Sequence, residues 1–229
     1  MKIIKLKQPI PRVKPFPTQP YSFCYSGFLP LPLPKGARSG LRKLSSVLKT
    51  RRSQRDFETP LTFQELASLV WHSARLKGKK YLENGTIWQS RIAPSAGGCH
   101  PIHIVIVGAP DFSRDVLVYD AEHNGFGVLG SVDVKLLRKT LKETDKCLRV
   151  LRGTVLWFFA DLSKTGGKYH HPESLVWRDS GALLASIALV AEALGLRSCG
   201  LGIHETPSLR KILKLPASVI GVGGCITSK

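Results

Sequence analysis

Sixteen consecutive residues, GALLASIALVAEALGL (181–196), carry a single charged side chain, Glu192. A bilayer span needs about 20 mostly apolar residues. The run therefore reads as the buried part of a soluble core helix, expected over 179–195 with Gly195 as its stop. Such a helix has to be covered by apolar partners, and two segments offer them. IHIVIVG (102–108) is alternating or fully apolar, and GTVLWFFAD (153–161) is a central strand by its aromatic and β-branched content.

The other elements are read from spacing and end signals. LRKLSSVLKTRR (41–52) places Leu41, Leu44, Val47 and Leu48 at helical intervals, and TFQELASLVWHSAR (62–75) opens with Thr62 and Glu65 as a capping box. LKGKKYLENGTIWQSRIAPSAGGCHP (76–101) reads as a polar loop, VLVYD (116–120) as a short strand and VDVKLLRKTLKE (132–143) as a solvated helix of mixed charge. TPSLRKIL offers Thr206 as N-cap with Pro207 at the first helical position, and SVIGVGGCI closes as a last strand. Helices and strands mix without a regular β-α-β period. The expectation is an α+β fold with a mostly antiparallel sheet flanked by helices.

The 229 residues suit one domain, residues 41–229, preceded by an arm, residues 1–40, whose first 36 residues hold eight of the fifteen prolines. The arm should be extended and lie along the body or a partner subunit. Prolines also interrupt the apolar stretch that a secretory signal would need, so a cytoplasmic protein without a membrane segment is expected. Five scattered cysteines without C-x-x-C suggest reduced thiols, and Cys99 with His100 and His103 is too thin a ligand set for a metal. The formal charge of +18 predicts attraction to an anionic partner without identifying it.

NGFGVLG (124–130) contains G-x-G-x-x-G at Gly125, Gly127 and Gly130. A dinucleotide fingerprint must turn off a strand and open a helix inside the motif. Here AEHN separates it from VLVYD, and the helical pattern begins only after Gly130, so a turn is the expected reading.

RRSQRDF (51–57) sets Arg51, Arg52, Ser53 and Arg55 within five residues, a group suited to phosphate, although a basic helix end would look the same. RIAPSAGGCHP (91–101) is a stiff loop poor in side chains, through which backbone N–H groups can approach a flat ligand closely. With VYDAEHN, KYHHPESLVWRDSG, AEALGL and GLGIHE following in order, the chain from about Leu41 onward resembles the flavin-dependent nitroreductase superfamily. Within it, the chain is similar to the SagB-type or McbC-like dehydrogenases that oxidise azolines in peptides.

The resemblance implies a domain-swapped homodimer with FMN at the subunit interface. Arg51, Arg52 and Ser53 would hold the phosphate, and Arg55 would face the pyrimidine edge, where positive charge favours the anionic reduced ring. Pro94, Ser95, Ala96, Gly97 and Gly98 of the other subunit would line the isoalloxazine, with Leu201 and Gly202 near its N5 and Gly200 permitting the turn. Lys229 would add a basic group to the phosphate. Lys168 and Tyr169 match a catalytic pair, the lysine stabilising a phenolate that takes a proton while hydride passes to flavin. Arg178 survives from a more arginine-rich family stretch, and His170 or His171 could donate a proton or be plain loop residues. The function implied is an FMN-dependent oxidoreductase of SagB type, acting on an azoline peptide beside a cyclodehydratase. An NAD(P)H-dependent nitro- or quinone-reductase and a non-catalytic protein binding an anionic partner are the alternatives.

Overall fold

The computed structural model describes residues 6–32, 41–108, 115–130, 132–148 and 152–229. The elements run β1 (Ile10–Pro11), β2 (Gly27–Pro30), α1 (Leu44–Thr50), α2 (Phe63–Ala74), β3 (Leu76–Tyr81), β4 (Ile87–Arg91), a 3-10 turn (Ala96–Gly98), β5 (Ile102–Val107), β6 (Val116–Asp120) and β7 (Gly125–Leu129). Then follow α3 (Val134–Asp145), β8 (Thr154–Asp161), α4 (Leu162–Gly166), β9 (Tyr169–His170), α5 (Glu173–Leu194), β10 (Arg197–Gly200), α6 (Pro207–Leu213) and β11 (Val219–Ser228).

A seven-stranded sheet in the order β10-β11-β8-β5-β6-β7-β2 carries the fold, and every pairing in it is antiparallel. Successive strand residues face opposite sides and both sides are covered, which is why its central strands are mostly apolar at odd and even positions alike. Ile104 and Ile106 of β5, with Leu156, Phe158 and Ala160 of β8, join a core with α2 and α5. Val105, Val107, Val155, Trp157 and Phe159 point the other way, toward α3, α6 and Phe23 of the arm. A layer of helices thus covers each face.

The α5 helix is 22 residues long and begins at Glu173, six residues before the expected start. By length and composition alone it could cross a bilayer. In the fold it lies against α2, β10 and β11, and Gly195 ends it in the left-handed region at φ 74°. The Thr62–Glu65 capping box forms at α2, and Thr206 caps α6.

Two sequence readings are corrected. The polar stretch 76–101 is not a loop throughout, because β3 and β4 pair as a hairpin. It escaped notice because LKGKKY has no apolar alternation and is almost wholly exposed. NGFGVLG is not a turn as a whole, because residues 121–124 make the turn and Gly125–Leu129 is a strand. A Cβ on Gly127 would collide with the Tyr25 ring and one on Gly125 with the Phe28 ring. Those glycines admit the arm's aromatics, not a pyrophosphate. The arm adds β2 to the edge of the sheet and pairs β1 with β9, while its end, with the boundary expected at residue 40, lies outside the described residues.

Candidate active site

The basic segment leaves α1 and runs beside β10. Gln54 N–H donates to the Ser198 carbonyl at 3.1 Å, and the Arg197 guanidinium reaches the Asp56 carbonyl at 2.5 Å and Glu58 Oε1 at 2.6 Å. Upstream, Thr50 Oγ1 and Arg42 Nη1 both bond Glu192 Oε1, at 2.6 and 3.0 Å, which fastens α1 to the far end of α5. Arg51, Arg52, Ser53 and Arg55 are all exposed, and among the described residues no bond or ion pair engages their side chains. They are donors without acceptors, a set that could hold an oxyanion. Gly200 ends β10 and Gly202 opens onto free space, where an added Cβ would meet nothing within 4 Å. Leu201 differs from expectation in that its N–H is already donated to Gly224 O at 2.9 Å. Lys229 is likewise engaged, with Nζ 3.7 Å from Glu65 Oε1.

The PSAGG loop is held from the other end of α5. Asp179 accepts Ser95 Oγ–H at 2.5 Å and Ala96 N–H at 3.0 Å, and Ser95 Oγ in turn accepts His100 N–H at 2.9 Å. Burial is the main reason the Asp179 carboxyl sits above its ordinary range, with the two bonds opposing that shift. Gly98, at φ 63°, leaves room for the Trp88 ring, whose Cδ1 would lie 2.5 Å from an added Cβ. Pro94 and Gly97 are exposed.

Lys168 and Tyr169 meet this loop directly. Lys168 Nζ donates to Gly97 O at 2.8 Å and to Ile87 O at 3.3 Å. A Cβ on Gly97 would lie 2.9 Å from Tyr169 Oη, so the phenol covers that glycine. The lysine thus serves carbonyls and not the phenol. Burial, with Cys99 and Asp179 nearby, raises the Tyr169 phenol above its ordinary value. The arm clamps the same pair, Arg12 N–H donating to Lys168 O at 2.9 Å and Phe16 N–H to Gly167 O at 3.1 Å. His170 Nε2 is 3.4 Å from Arg12 Nη1, His171 sits at φ 53°, and Arg178 is exposed with Nη2 3.5 Å from Ser174 Oγ.

The nitroreductase family model matches residues 48–226, most of the chain. The chain belongs to the nitroreductase family. Among solved structures, one described as a nitroreductase from Ralstonia eutropha JMP134 is 20% identical with a TM-score of 0.66, each chain covered over 97%. The E. coli microcin synthetase McbBCD complex, with truncated pro-MccB17 bound, is 14% identical at a TM-score of 0.57, covering 94% of this chain and 88% of that one. A nitroreductase from Exiguobacterium sibiricum 255-15 in complex with FMN is 13% identical at a TM-score of 0.56, covering 82% and 88%. At these identities the likeness is one of fold, and no curated protein sequence matches the chain.

In this nitroreductase-family chain the expected residues fall into two groups. Arg51 to Arg55, β10, Gly202 and Lys229 form one, and PSAGG, Lys168 and Tyr169 the other. Asp179 and Glu192, the α5 anchors of the loop and of α1, are about 20 Å apart along the helix at 1.5 Å per residue. Sequence reasoning missed Asp179, although it adjoins Arg178, because nothing in WRDSG tells a loop anchor from a solvated carboxylate. It also missed a cavity lined by Arg91, His100, His103, Tyr119 and Lys164.

Proposed function

We propose that the chain is an FMN-dependent oxidoreductase of the SagB type, working as a homodimer in which one protomer's basic segment and the other's PSAGG loop hold one flavin. The observation that carries this reading is the bond from Lys168 Nζ to Gly97 O, with Tyr169 Oη over the same glycine. It packs the proposed catalytic pair onto the loop proposed to line the ring. The two-group arrangement along α5 supports a site completed by a second copy. The free side chains of Arg51, Arg52, Ser53 and Arg55 fit the FMN phosphate, and the open face at Gly202 fits a flat ring.

When bound, FMN supplies two-electron hydride chemistry. The chain's residues supply the rest. Lys168 ties the loop at Gly97 O to β4 at Ile87 O, Asp179 holds the loop's other flank, and Tyr169 presents its Oη over Gly97. Because Lys168 Nζ is given to Gly97 O and Ile87 O, no bond from it stabilises a Tyr169 phenolate, and burial acts in the same direction. That geometry favours a second reading, an NAD(P)H-dependent nitro- or quinone-reductase whose substrate is protonated by Tyr169.

Arg51→Ala with Ser53→Ala should weaken FMN binding by about a hundredfold or more, since each charge-assisted bond contributes about 1.5 to 3 kcal/mol. Retention of flavin at parental strength would remove the phosphate assignment. With flavin bound, anaerobic bleaching by an azoline peptide supports the dehydrogenase and bleaching by NAD(P)H the reductase. A folded protein that retains no FMN but binds nucleic acid in a salt-sensitive way would favour a non-catalytic role for the +18 charge.

A further inference from the structure

In the sequence α3 reads as a solvated helix of mixed charge, but in the fold its charges separate by side. Leu137, Thr140 and Thr144 are buried, and Leu136 and Leu141 partly so. At about 100° per residue, Lys135, Arg138, Lys139, Lys142 and Lys146 fall within one arc of about 100° opposite that buried side, and all five are exposed. The carboxylates lie elsewhere. Glu143 and Asp145 flank the arc, one on each side, and Asp133 caps the helix, accepting Lys135 N–H at 2.8 Å and Leu136 N–H at 3.3 Å. Glu143 is turned to α6, where it accepts Ser208 Oγ–H at 3.1 Å and Ser208 N–H at 3.4 Å.

The basic side continues onto α6. Lys211 and Lys214, both exposed, border a groove beside the first turn of α3 together with Asp133 and Leu136. Arg210 is not part of this side, because Glu205 takes its guanidinium at 2.7 and 3.0 Å. Among the described residues no hydrogen bond or ion pair engages the side chains of the other seven cations.

A helix that is only solvated interleaves its signs, because unlike charges four residues apart attract and like charges repel. Here Lys135 with Lys139, Arg138 with Lys142, and Lys142 with Lys146 are all like pairs. The arrangement works against the helix that carries it, and a polyanion laid along the arc would remove that opposition.

We propose that the α3–α6 face docks the phosphate backbone of a double-stranded nucleic acid without reading its sequence. Six of the seven cations are lysines, which are depleted at protein–protein interfaces and common against phosphate. The arc holds cations alone. It offers no ring on which an unpaired base could stack and no apolar side chain to enter a bilayer, since Val134 lies outside it. Tyr21 and Phe23, which line the adjoining groove, pack edge to face on each other and on His103. From Lys135 to Lys146 the row is about 16 Å long, and a duplex carries one phosphate per roughly 1.7 Å of its axis, so each cation can meet one. Asp179 and Glu192, the anchors of the candidate active site, belong to α5, which covers the other face of the sheet. Nothing in this inference depends on flavin.

Fluorescence anisotropy tests it, with the full chain at pH 7 and a labelled DNA or RNA duplex of about 20 base pairs. The logarithm of the affinity should fall against the logarithm of salt concentration with a slope of about −5, which weakens binding about a thousandfold between roughly 50 and 200 mM. Either duplex behaving so supports the proposal, and the tighter one identifies the source of the phosphates. Lys135→Gln, Lys139→Gln, Lys142→Gln and Lys146→Gln together should make the slope shallower by about 3 to 4 and weaken binding at least about a hundredfold at roughly 100 mM, with far-ultraviolet dichroism unchanged. Lys7→Gln, Lys14→Gln, Lys77→Gln and Lys80→Gln remove as much charge from exposed positions on the arm and the hairpin, and should change the slope by less than about 1. Equal loss in the two fourfold variants overturns the proposal, because net charge and not this face would then bind. So does a slope shallower than about −2, tighter binding of a single strand of the same length, or binding of phosphatidylserine vesicles in place of either duplex. If the α3 variant does not fold, Lys139→Gln with Lys146→Gln, expected to make the slope shallower by about 2, decides.

Discussion

Replacing Asp179 by alanine should release the PSAGG loop from α5. The carboxylate accepts two bonds, from Ser95 Oγ at 2.5 Å and from Ala96 N–H at 3.0 Å. Bonds to a charged acceptor contribute about 1.5 to 3 kcal/mol each, so their gross loss is about 3 to 6 kcal/mol. Two effects reduce it. The raised Asp179 pKa shows that burial already opposes the charge, and removing the charge recovers that part. The loop also has an exposed side at Pro94 and Gly97, so water can reach the freed donors. A net loss of about 2 to 3 kcal/mol is expected, or roughly 4 to 12 °C in Tm for a chain of this length. Urea denaturation gives the total, and amide exchange at Ala96 shows whether the loss is local. Ser95→Ala, which removes one bond to Asp179 and also orphans His100 N–H, should fall between the parent and Asp179→Ala. A change below about 1 kcal/mol with Ala96 protection intact would show that the loop is held by its own turn and not by α5.

Gly98→Ala forces a side chain to φ 63° and brings its Cβ 2.5 Å from Trp88 Cδ1 and 2.9 Å from Gln89 O. It should cost at least about 2 kcal/mol in urea, with a shift in tryptophan emission as the ring moves. Thr62→Ala removes the acceptor for Glu65 N–H at the start of α2 and should cost about 1 kcal/mol by the same assay. His100 and His103 have folded values of about 4 against an ordinary 6.5, so the unfolded chain binds more protons between those limits. Stability should therefore fall as the pH drops from 6.5 toward 4, and His103→Asn should flatten part of that slope. Lys164, with a folded value of about 8 against 10.5, also binds fewer protons in the folded state. Stability should rise between pH 8 and 10.5, and Lys164→Met should remove that rise in thermal melts.

The parts of the fold legible in the sequence are those where one residue type has one physical use. Thr62 with Glu65, Thr206 before Pro207, and Gly195 after the α5 run each mark a helix end, and each does so in the structure. IHIVIVG and GTVLWFFAD are apolar on both faces, His103, Thr154 and Asp161 aside, because both faces of the sheet are covered. The β3–β4 hairpin was hidden for the opposite reason. Its outer strand is solvated, and its inner one is held by polar bonds such as Gln89 to Glu122 that leave no periodic trace. The start of α5 was hidden by Pro172, Glu173 and Trp177, which mix a helix beginning with residues that look like loop.

The candidate site was legible as segments but not as contacts. RRSQR and PSAGG stand out because clustered guanidinium groups and paired glycines are uncommon side by side. That Leu201 N–H is already used by Gly224, and that Lys168 serves Gly97 in place of Tyr169, are facts of folding that spacing does not encode. The cavity under the arm lies further still from any motif. Arg91 ends β4, His103 lies within β5, Tyr119 within β6 and Lys164 within α4, and in the sequence the first three read separately as part of a polar loop, a core strand and a short strand. A lone histidine or tyrosine on an apolar strand is by itself an ordinary core residue. Tyr119 packs with Ile104 and Phe126 on one face of the sheet and His103 against the rings of Tyr21 and Phe23 on the other, so each is placed by the fold and by no motif.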